Sequence, residues 1–469
     1  MRGAFALGLL FVFAALTATR GYARAEADAA AEPGARDDGW VAASEKDATP
    51  GPVVARGPGR PPQSAKGARA CSFRHPICVN AARRIAPDVA LAVLDAADRA
   101  WDSITGSLGL PAPDPDPDTR AYDVYFADLG GRGAMTLFGE RDVRSRVDRA
   151  SAFTLLDNRV TRGCALDALV AREVARASLF RAAPATDEGT ARAQTTYLAQ
   201  LMVPCAMSET ADGAAFFQSH PERGFADAWP ESDARAGAAF AAGASLFHGW
   251  LDYSFGRAPG SLVRATWALA PTMTELSAFR WHNEPDSFDV LRETFKNSLS
   301  NGSTLDDLLL EFGVARAFFG AADDGAHYPE SRTLGEAARL RRDWEIEWPQ
   351  KPRRLSSPAA GLAPLGMTCI AMKRDGAARG ARLRVEAAWE QHAKMKWAVV
   401  KLDARGKEIG HLVVPSHDRA VEAQMTVVDL DDVASLLLIG VATGDGLYPF
   451  DPDDEAWEPH GWLLTVASE

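Results

Sequence analysis

The residues with the clearest capacity for chemistry stand together in the middle of the chain. Arg172 and Arg176 lie four positions apart, Glu173 follows the first of them, and Glu188 comes downstream. A spacing of four places both arginines on one face of a helix. A carboxylate can act as a general base, but neighbouring guanidiniums stabilise its charged form and weaken it as a base. The pattern alone is also common on charged, solvent-facing helices.

Periodic apolar residues predict the elements that hold these side chains. A helix over 164–180 is predicted because one face carries Leu166, Leu169, Val170, Val174 and Ala177. Period-two alternation predicts a half-buried strand over 121–129, and a second strand is expected over 151–157. The remaining predicted helices cover 87–108, 190–201, 237–255, 288–299 and 304–319. For the last of these, Ser303 is the expected cap and Asp306 lies in the first turn.

The character of the sequence changes after about residue 343. Prolines and small residues predict a linker over 344–363. Short apolar runs separated by polar turns then predict a β-sandwich over 364–469, with strands at 367–372, 382–389, 397–402, 410–414, 421–428, 435–441 and 462–466. The fold class is therefore predicted to be α+β, a mainly helical domain with a small sheet over 71–343 followed by an all-β sandwich.

The first 70 residues predict export. Arg2 precedes an apolar run, and Ala23 and Ala25 supply the small residues of a cleavage site, so 1–25 reads as a signal peptide. Residues 26–70 contain few large apolar side chains and are predicted to be a disordered linker. We expect a secreted or periplasmic chain that has no membrane segment after signal removal. Its formal net charge falls from −12 to −15 on removal of three arginines, which argues against nucleic acid as a partner.

Five cysteines in an exported chain predict disulfides. Their spacing suggests one bridge between Cys71 and Cys78 and another between Cys164 and Cys205, which leaves Cys369 unpaired. Ordinary buried thiols remain the alternative for the second pair.

The order of elements between Cys71 and Gly320 resembles that of the gluzincin zinc metallopeptidases. The resemblance is carried by a cysteine-bearing start, a helix, a strand, the Arg172-Glu173-Val174-Ala175-Arg176 segment and the Glu188-Gly189-Thr190-Ala191 segment. It is especially close to secreted metallopeptidases of myxobacteria, which combine such a domain with a C-terminal β-domain. In that family two histidines one helical turn apart and a downstream glutamate bind zinc, and a glutamate beside the first histidine activates water.

The resemblance implies that Arg172 and Arg176 occupy the two histidine positions, Glu173 the general-base position and Glu188 the third-ligand position. A guanidinium is always protonated and offers no lone pair, so neither arginine can bind zinc. No metal or other cofactor is therefore expected. Charge suggests a replacement for the metal, since the two arginines could neutralise Glu173 and Glu188 in an ion-pair cluster.

No other constellation in the sequence offers a clear active site. The nine histidines contain no pair at the spacing of a helical zinc site; His248 reads as a core or interface residue, and His411 and His417 have no matching carboxylates. The acidic loop 444–455 contains Asp445, Asp451, Asp453 and Asp454 and could bind calcium, although a solvated turn is favoured.

Two functions from different classes follow. The first is an exported pseudoenzyme that is metallopeptidase-like but inactive, and that binds an unknown polypeptide or cell-surface material. The alternative is an active secreted hydrolase or metallopeptidase that uses an unrecognised metal site.

Overall fold

A computed structural model of the chain describes residues 60–61, 68–81, 85–142, 145, 147–226, 234–269, 285–298, 304–375, 377–417, 420–445, 450–451 and 458–469. The predicted signal peptide, most of the predicted N-terminal linker, Ser303, and Asp453 and Asp454 of the acidic loop lie outside the described residues.

The fold is α+β, as predicted. The α-helices are α1 (Pro87–Thr105), α2 (Cys164–Ala182), α3 (Glu188–Met202), α4 (Ala206–Glu209), α5 (Ala211–Ser219), α6 (Ala234–Gly243), α7 (Ser245–Phe255), α8 (Ser261–Leu269), α9 (Ser287–Ser298) and α10 (Leu305–Arg316). The strands are β1 (Ala68–Cys71), β2 (Ile77–Ala81), β3 (Tyr122–Ala127), β4 (Ala134–Arg141), β5 (Ala150–Asp157), β6 (Trp344–Glu347), β7 (Arg353–Ser356), β8 (Met367–Lys373), β9 (Leu383–Trp389), β10 (Ala393–Leu402), β11 (Glu408–Val414), β12 (Glu422–Val427), β13 (Ser435–Asp445) and β14 (Trp462–Ser468).

The N-terminal sheet is five-stranded and lies against α1 and α2. Its order is β1-β2-β3-β5-β4, with β3 parallel to both of its neighbours. The prediction that β3 is half-buried is wrong. Tyr122 and Val124 pack in the core beneath α1 and α2, while Tyr125 and Ala127 pack on the opposite face against Phe153 and Leu155. Both faces are covered, as is usual for strands in parallel pairing.

Two of the predicted helices differ from the structure, one in being divided and one in its capping residue. The predicted helix over 237–255 is two helices, α6 and α7, separated at Ala244. The last helix is capped by Thr304, whose hydroxyl accepts from the Asp307 amide while the Asp307 carboxylate accepts from the Thr304 amide. This reciprocal capping box satisfies two backbone donors and replaces the cap predicted at Ser303.

Both predicted disulfides are present. Cys71 and Cys78 face each other across the β1–β2 pair, and Cys164 at the start of α2 is bonded to Cys205 just before α4. Cys369 is a free, buried thiol.

The predicted N-terminal linker is partly ordered structure. Ala68 to Ala70 belong to β1, although they were assigned to that linker. Arg60 also lies within it, and its Nη1 is 3.1 Å from Oδ2 of the fully buried Asp123. Asp123, on the central strand of the sheet, therefore binds part of the segment that was predicted to be disordered. Composition alone cannot reveal an ion pair with a residue so far along the chain.

The C-terminal region is a two-sheet sandwich, and all seven predicted strands are found. One sheet has the order β11-β10-β13-β8-β6 and the other β12-β9-β14-β7. The predicted linker over 344–363 is wrong, because it contains β6 and β7, which pair with β8 and β14. Gly440 faces Trp397 across the β10–β13 pair, where an added Cβ would lie 2.8 Å from the indole. The glycine thus makes room for a large core side chain.

The central strands β10, β13 and β8 of the five-stranded sheet of the sandwich are buried on both faces. The inner face of this sheet packs against the other sheet, and its outer face shares a core with the helical region through Cys369, Val400, Ile439 and Val441. Helix α10 lies on this outer face. A Cβ at Gly313 would be 2.6 Å from Cγ2 of Val441, so the helix approaches the sheet closely at that point.

Candidate functional site

Helix α2 carries three of the four predicted site residues. Its apolar side chains, among them Val170 and Val174, are buried against the N-terminal sheet. Glu173 lies on the same buried face of the helix and is 5% exposed. The side chains of Arg172 and Arg176 are 19% and 14% exposed. The helix thus directs one carboxylate inward and holds two guanidiniums at the protein surface.

Both carboxylate oxygens of Glu173 have hydrogen-bond partners. Arg172 donates to Oε1 from Nε at 2.9 Å and from Nη2 at 2.6 Å. The Thr136 hydroxyl, from β4, donates to Oε2 at 2.7 Å. A buried charge is tolerated when it is paired and hydrogen-bonded in this way.

A chain of hydroxyl groups leads away from Glu173 into the sheet. Oγ1 of Thr136 is 2.6 Å from Oγ1 of Thr154, which contacts the Tyr122 hydroxyl. Each hydroxyl has one hydrogen and the carboxylate can only accept, so donation runs from Tyr122 to Thr154, then to Thr136 and Glu173. Burial raises the pKa of Tyr122 well above its ordinary value, and the negative charge of Glu173 adds to the rise.

Glu188 is the first residue of α3 and lies between two arginines. Nη2 of Arg176 donates to its Oε2 at 2.8 Å, and Nη2 of Arg192 donates to its Oε1 at 3.2 Å. The Arg176 guanidinium also stacks over the Phe180 ring, 4.8 Å from its centroid. Asp187, immediately before Glu188, caps α3 by accepting from the Thr190 amide.

The charges around Glu188 keep it ionised. Partial desolvation of this carboxyl acts to raise its pKa. The charges of Arg176, Arg192 and Arg172 outweigh that effect and hold the pKa below its usual range. The ion pairs hypothesised from charge are thus both formed, Arg172 with Glu173 and Arg176 with Glu188.

The sequence did not identify two contributors to this cluster. Arg192 lies one helical turn after Glu188, and that spacing was the available signal. Thr136 belongs to β4, which was not predicted. Glycines at 130, 131 and 133, all with positive φ, lead into this strand and obscure its pattern.

The residues present do not fit the zinc ion that the resemblance implies. The two positions expected to hold imidazoles hold guanidiniums, which have no lone pair. Glu173 accepts a hydrogen bond from Arg172, and Glu188 accepts one from Arg176. Both carboxylates are therefore already paired with the arginines at the two predicted histidine positions. Over the described stretches, no three His, Cys, Asp or Glu side chains are arranged to hold a metal ion.

A second polar cluster joins the helical region to the sandwich, and it corrects the prediction that His411 has no matching carboxylates. His411 Nδ1 lies 2.7 Å from Glu408 Oε1 on β11, and its Nε2 lies 3.0 Å from Glu311 Oε1 on α10. His327 lies 2.9 Å from the other oxygen of Glu408 and 3.0 Å from Asp324. We call these five residues the interregion cluster.

A bulge in β11 makes the contact between Glu408 and His411 possible. Lys401 pairs with Gly410 and Leu402 with Glu408, so Ile409 is an extra residue on this strand. Side chains three apart on a regular strand point to opposite faces, but one extra residue brings them to the same face. No periodic pattern in a single sequence predicts this insertion.

Comparisons with known proteins provide no relative that assigns a function. No protein family model and no curated protein matches the chain. One similar solved structure is the pre-peptidase C-terminal domain of a collagenase from Bacillus anthracis, with 8% identity, a TM-score of 0.19, and coverage of 28% of this chain and 99% of that one. Another is the infectious bursal disease virus VP2 subviral particle, with 12% identity, a TM-score of 0.16, and coverage of 25% and 33%. Likeness at these TM-scores is too slight to bear on function.

His248 and Cys369, which were also considered from the sequence, are both buried in the core. His248 is 6% exposed, and burial lowers its pKa to about 3, which keeps the imidazole neutral in the core. Burial likewise raises the pKa of the Cys369 thiol to about 12. Within the described residues, no helix combines the length and apolar character needed to cross a membrane.

Proposed function

We propose that this is an exported, metallopeptidase-like protein without peptidase activity, which acts by binding polypeptide or cell-surface material. The observation that carries the proposal is the pairing of Arg172 with Glu173 and of Arg176 with Glu188. Two permanent cations stand at the positions where the resembling family has metal-binding histidines, and each satisfies a carboxylate that the family uses in catalysis.

The contacts of Glu173 support the absence of catalysis. A general base must accept a proton from water or substrate at hydrogen-bond distance. Here one carboxylate oxygen receives two bonds from Arg172 and the other receives the Thr136 hydroxyl. Both oxygens are therefore engaged by groups of the protein itself.

Export is supported by the two disulfides, because such bonds persist in oxidising compartments. The apolar run after Arg2 supports the same proposal, since it has the length of a signal peptide rather than of a membrane span.

Metal analysis together with a cleavage assay tests the proposal. The protein purified after export is expected to contain no stoichiometric zinc and to leave casein and a peptide library intact. Cleavage that stops on addition of a chelator, with one zinc per chain, would contradict it and favour a hydrolase with an unrecognised metal site.

A double substitution, Arg172→His with Arg176→His, tests the resemblance itself. If Glu188 stands at a former ligand position, this variant should gain zinc affinity, because two imidazoles and one carboxylate complete a three-ligand set. Calorimetric titration with zinc measures the gain. The triple variant that adds Glu188→Gln is the matched control, and equal zinc binding with and without Glu188 would argue against the resemblance.

A further inference from the structure

The Glu188 carboxylate occupies a site that has the form of an anion receptor. Its two oxygens are held separately, one by Arg176 at 2.8 Å and one by Arg192 at 3.2 Å. Arginine nitrogens placed on both oxygens of one carboxylate are a common way in which proteins recognise that group. In this structure the bound carboxylate belongs to the protein itself.

The occupant is more exposed than the receptor. The Glu188 side chain is 67% exposed, whereas those of Arg176 and Arg192 are 14% and 25% exposed. Arg176 is further held by its stacking on Phe180. Rotation of the Glu188 side chain into water would therefore open the site without moving either helix, and exposed ion pairs of this kind contribute little to stability.

Displacement of Glu188 would leave the cluster with a surplus of positive charge. Three guanidiniums, those of Arg172, Arg176 and Arg192, lower the pKa of Glu188, while Glu173 is the other carboxylate in contact with them. The neighbouring Asp187 is another negative charge that remains when Glu188 leaves, and one of its oxygens accepts from the amide of Thr190. A local cationic site on a chain with a formal net charge of −12 favours an anionic ligand at this point of the surface.

We infer that Arg176 and Arg192 form a carboxylate-binding site for polypeptide, with Glu188 as an internal competitor that occupies it in the unbound protein. The inference rests on the proposed binding function and specifies the ligand class, a polypeptide that offers an acidic side chain or a free C-terminal carboxylate. A ligand carboxylate displaces Glu188 and takes its two hydrogen bonds.

Fluorescence anisotropy with labelled peptides tests the inference. The probes are a ten-residue peptide of alternating glutamate and serine, the same peptide with glutamine for glutamate, and a neutral peptide with either a free or an amidated C-terminus. Glu188→Gln should bind the acidic peptide about tenfold more tightly than the wild type, because the receptor no longer has to release its own carboxylate. Arg192→Gln should weaken that binding at least about fivefold.

Glu336→Gln is the matched control, because Glu336 also pairs with a nearby arginine, Arg339, on an exposed surface. It should leave peptide binding unchanged. The two neutral peptides separate the possible sources of the carboxylate, since tighter binding of the free C-terminus alone would assign the site to chain ends. The comparison of acidic and glutamine peptides on the wild type requires no variant and so does not depend on variant folding.

The results distinguish this inference from the proposal on which it rests. If the wild type and Glu188→Gln bind acidic and glutamine peptides equally, the inference is overturned while polypeptide binding stands. If neither protein binds any of the peptides or unfolded casein, both fail. Weaker binding of the acidic peptide by Glu188→Gln would also overturn the inference.

Discussion

Glu173 and Glu188 are both paired with arginine, but their surroundings give the two pairs different energetic weight. Glu173 is 5% exposed and receives bonds from Arg172 and Thr136. The Glu188 side chain is 67% exposed. Loss of a buried charge leaves its partners unsatisfied, whereas water replaces an exposed one.

Glu173→Gln should therefore destabilise the protein much more than Glu188→Gln. We expect a loss of about 1–3 kcal/mol for the buried substitution and less than about 1 kcal/mol for the exposed one. Thermal unfolding followed by circular dichroism compares the two variants under identical conditions. Equal shifts in the midpoint would show that burial does not separate the two sites.

At the scale of single residues, the sequence predicted which charged side chains lie near one another but not all of the contacts that they make. Helical spacing placed Arg172, Glu173 and Arg176 on one helix. Only the family resemblance implied that Glu188 lies near them. The sequence could not supply Thr136, since the contact between β4 and α2 joins residues far apart in the chain. Such contacts depend on the assembled sheet and leave no local pattern.

At the scale of elements, the two disulfides close loops of different size. Cys71 and Cys78 are separated by 7 positions, and Cys164 and Cys205 by 41. A crosslink stabilises mainly by restricting the unfolded chain, and the restriction grows with the loop. The bridge from α2 to the start of α4 should therefore matter more than the bridge between β1 and β2.

Replacing Cys164 and Cys205 by serine should cost about 4 kcal/mol, and replacing Cys71 and Cys78 about 2.5 kcal/mol. Chemical unfolding of both double variants alongside the wild type measures the two losses. A larger loss for the short loop would mean that the β1–β2 hairpin needs its bridge for reasons other than chain entropy.

The elements themselves were largely predictable where one face is apolar and the other polar. All seven predicted sandwich strands and the helix over 164–180 were found, because their periodicity is clear. β6 and β7 were missed, since prolines and charged residues surround them and they are short sheet-edge strands. The break between α6 and α7 was also missed, although Gly243 at the end of α6 and Ser245 at the start of α7 are residue types that favour helix ends.

At the scale of the whole molecule, the interregion cluster makes stability depend on pH. Hydrogen bonds to Glu311 and Glu408 raise the pKa of His411 to about 10. Burial acts to raise the pKa of Glu408, but His327 and His411 bring it down to about 2. Burial acts to lower the pKa of His327, and its contacts with Glu408 and Asp324 reverse this to a net rise.

The direction of each shift defines the pH range. An unfolded histidine titrates near 6.5, so the stabilisation from His411 is complete below about pH 6.5 and is lost as pH rises through 10. An unfolded glutamate titrates near 4.3, so the stabilisation from Glu408 is present above that pH and is lost as pH falls through 2. The cluster therefore contributes most between about pH 4.5 and 6.5.

His411→Gln should lower the thermal midpoint most in that range. We expect a loss of about 1–3 kcal/mol at pH 5.5 and a much smaller one at pH 10, where the wild-type imidazole loses its charge. Unfolding scans at both pH values measure it. His417→Gln, at an exposed position after β11, serves as the control. A deficit that is the same at both pH values would show that the charge of His411 does not matter.

The close seating of α10 on the five-stranded sheet bears on how this chain can change in evolution. A recombination event that moved residues 344–469 into another gene would leave Val400, Ile439 and Val441 facing water, together with the thiol of Cys369. Without α10, the sandwich would expose an apolar surface and an oxidisable thiol, and it would tend to aggregate. The two regions are therefore expected to be inherited together, and a substitution at Gly313 in one would have to be matched by a smaller side chain at Val441 in the other.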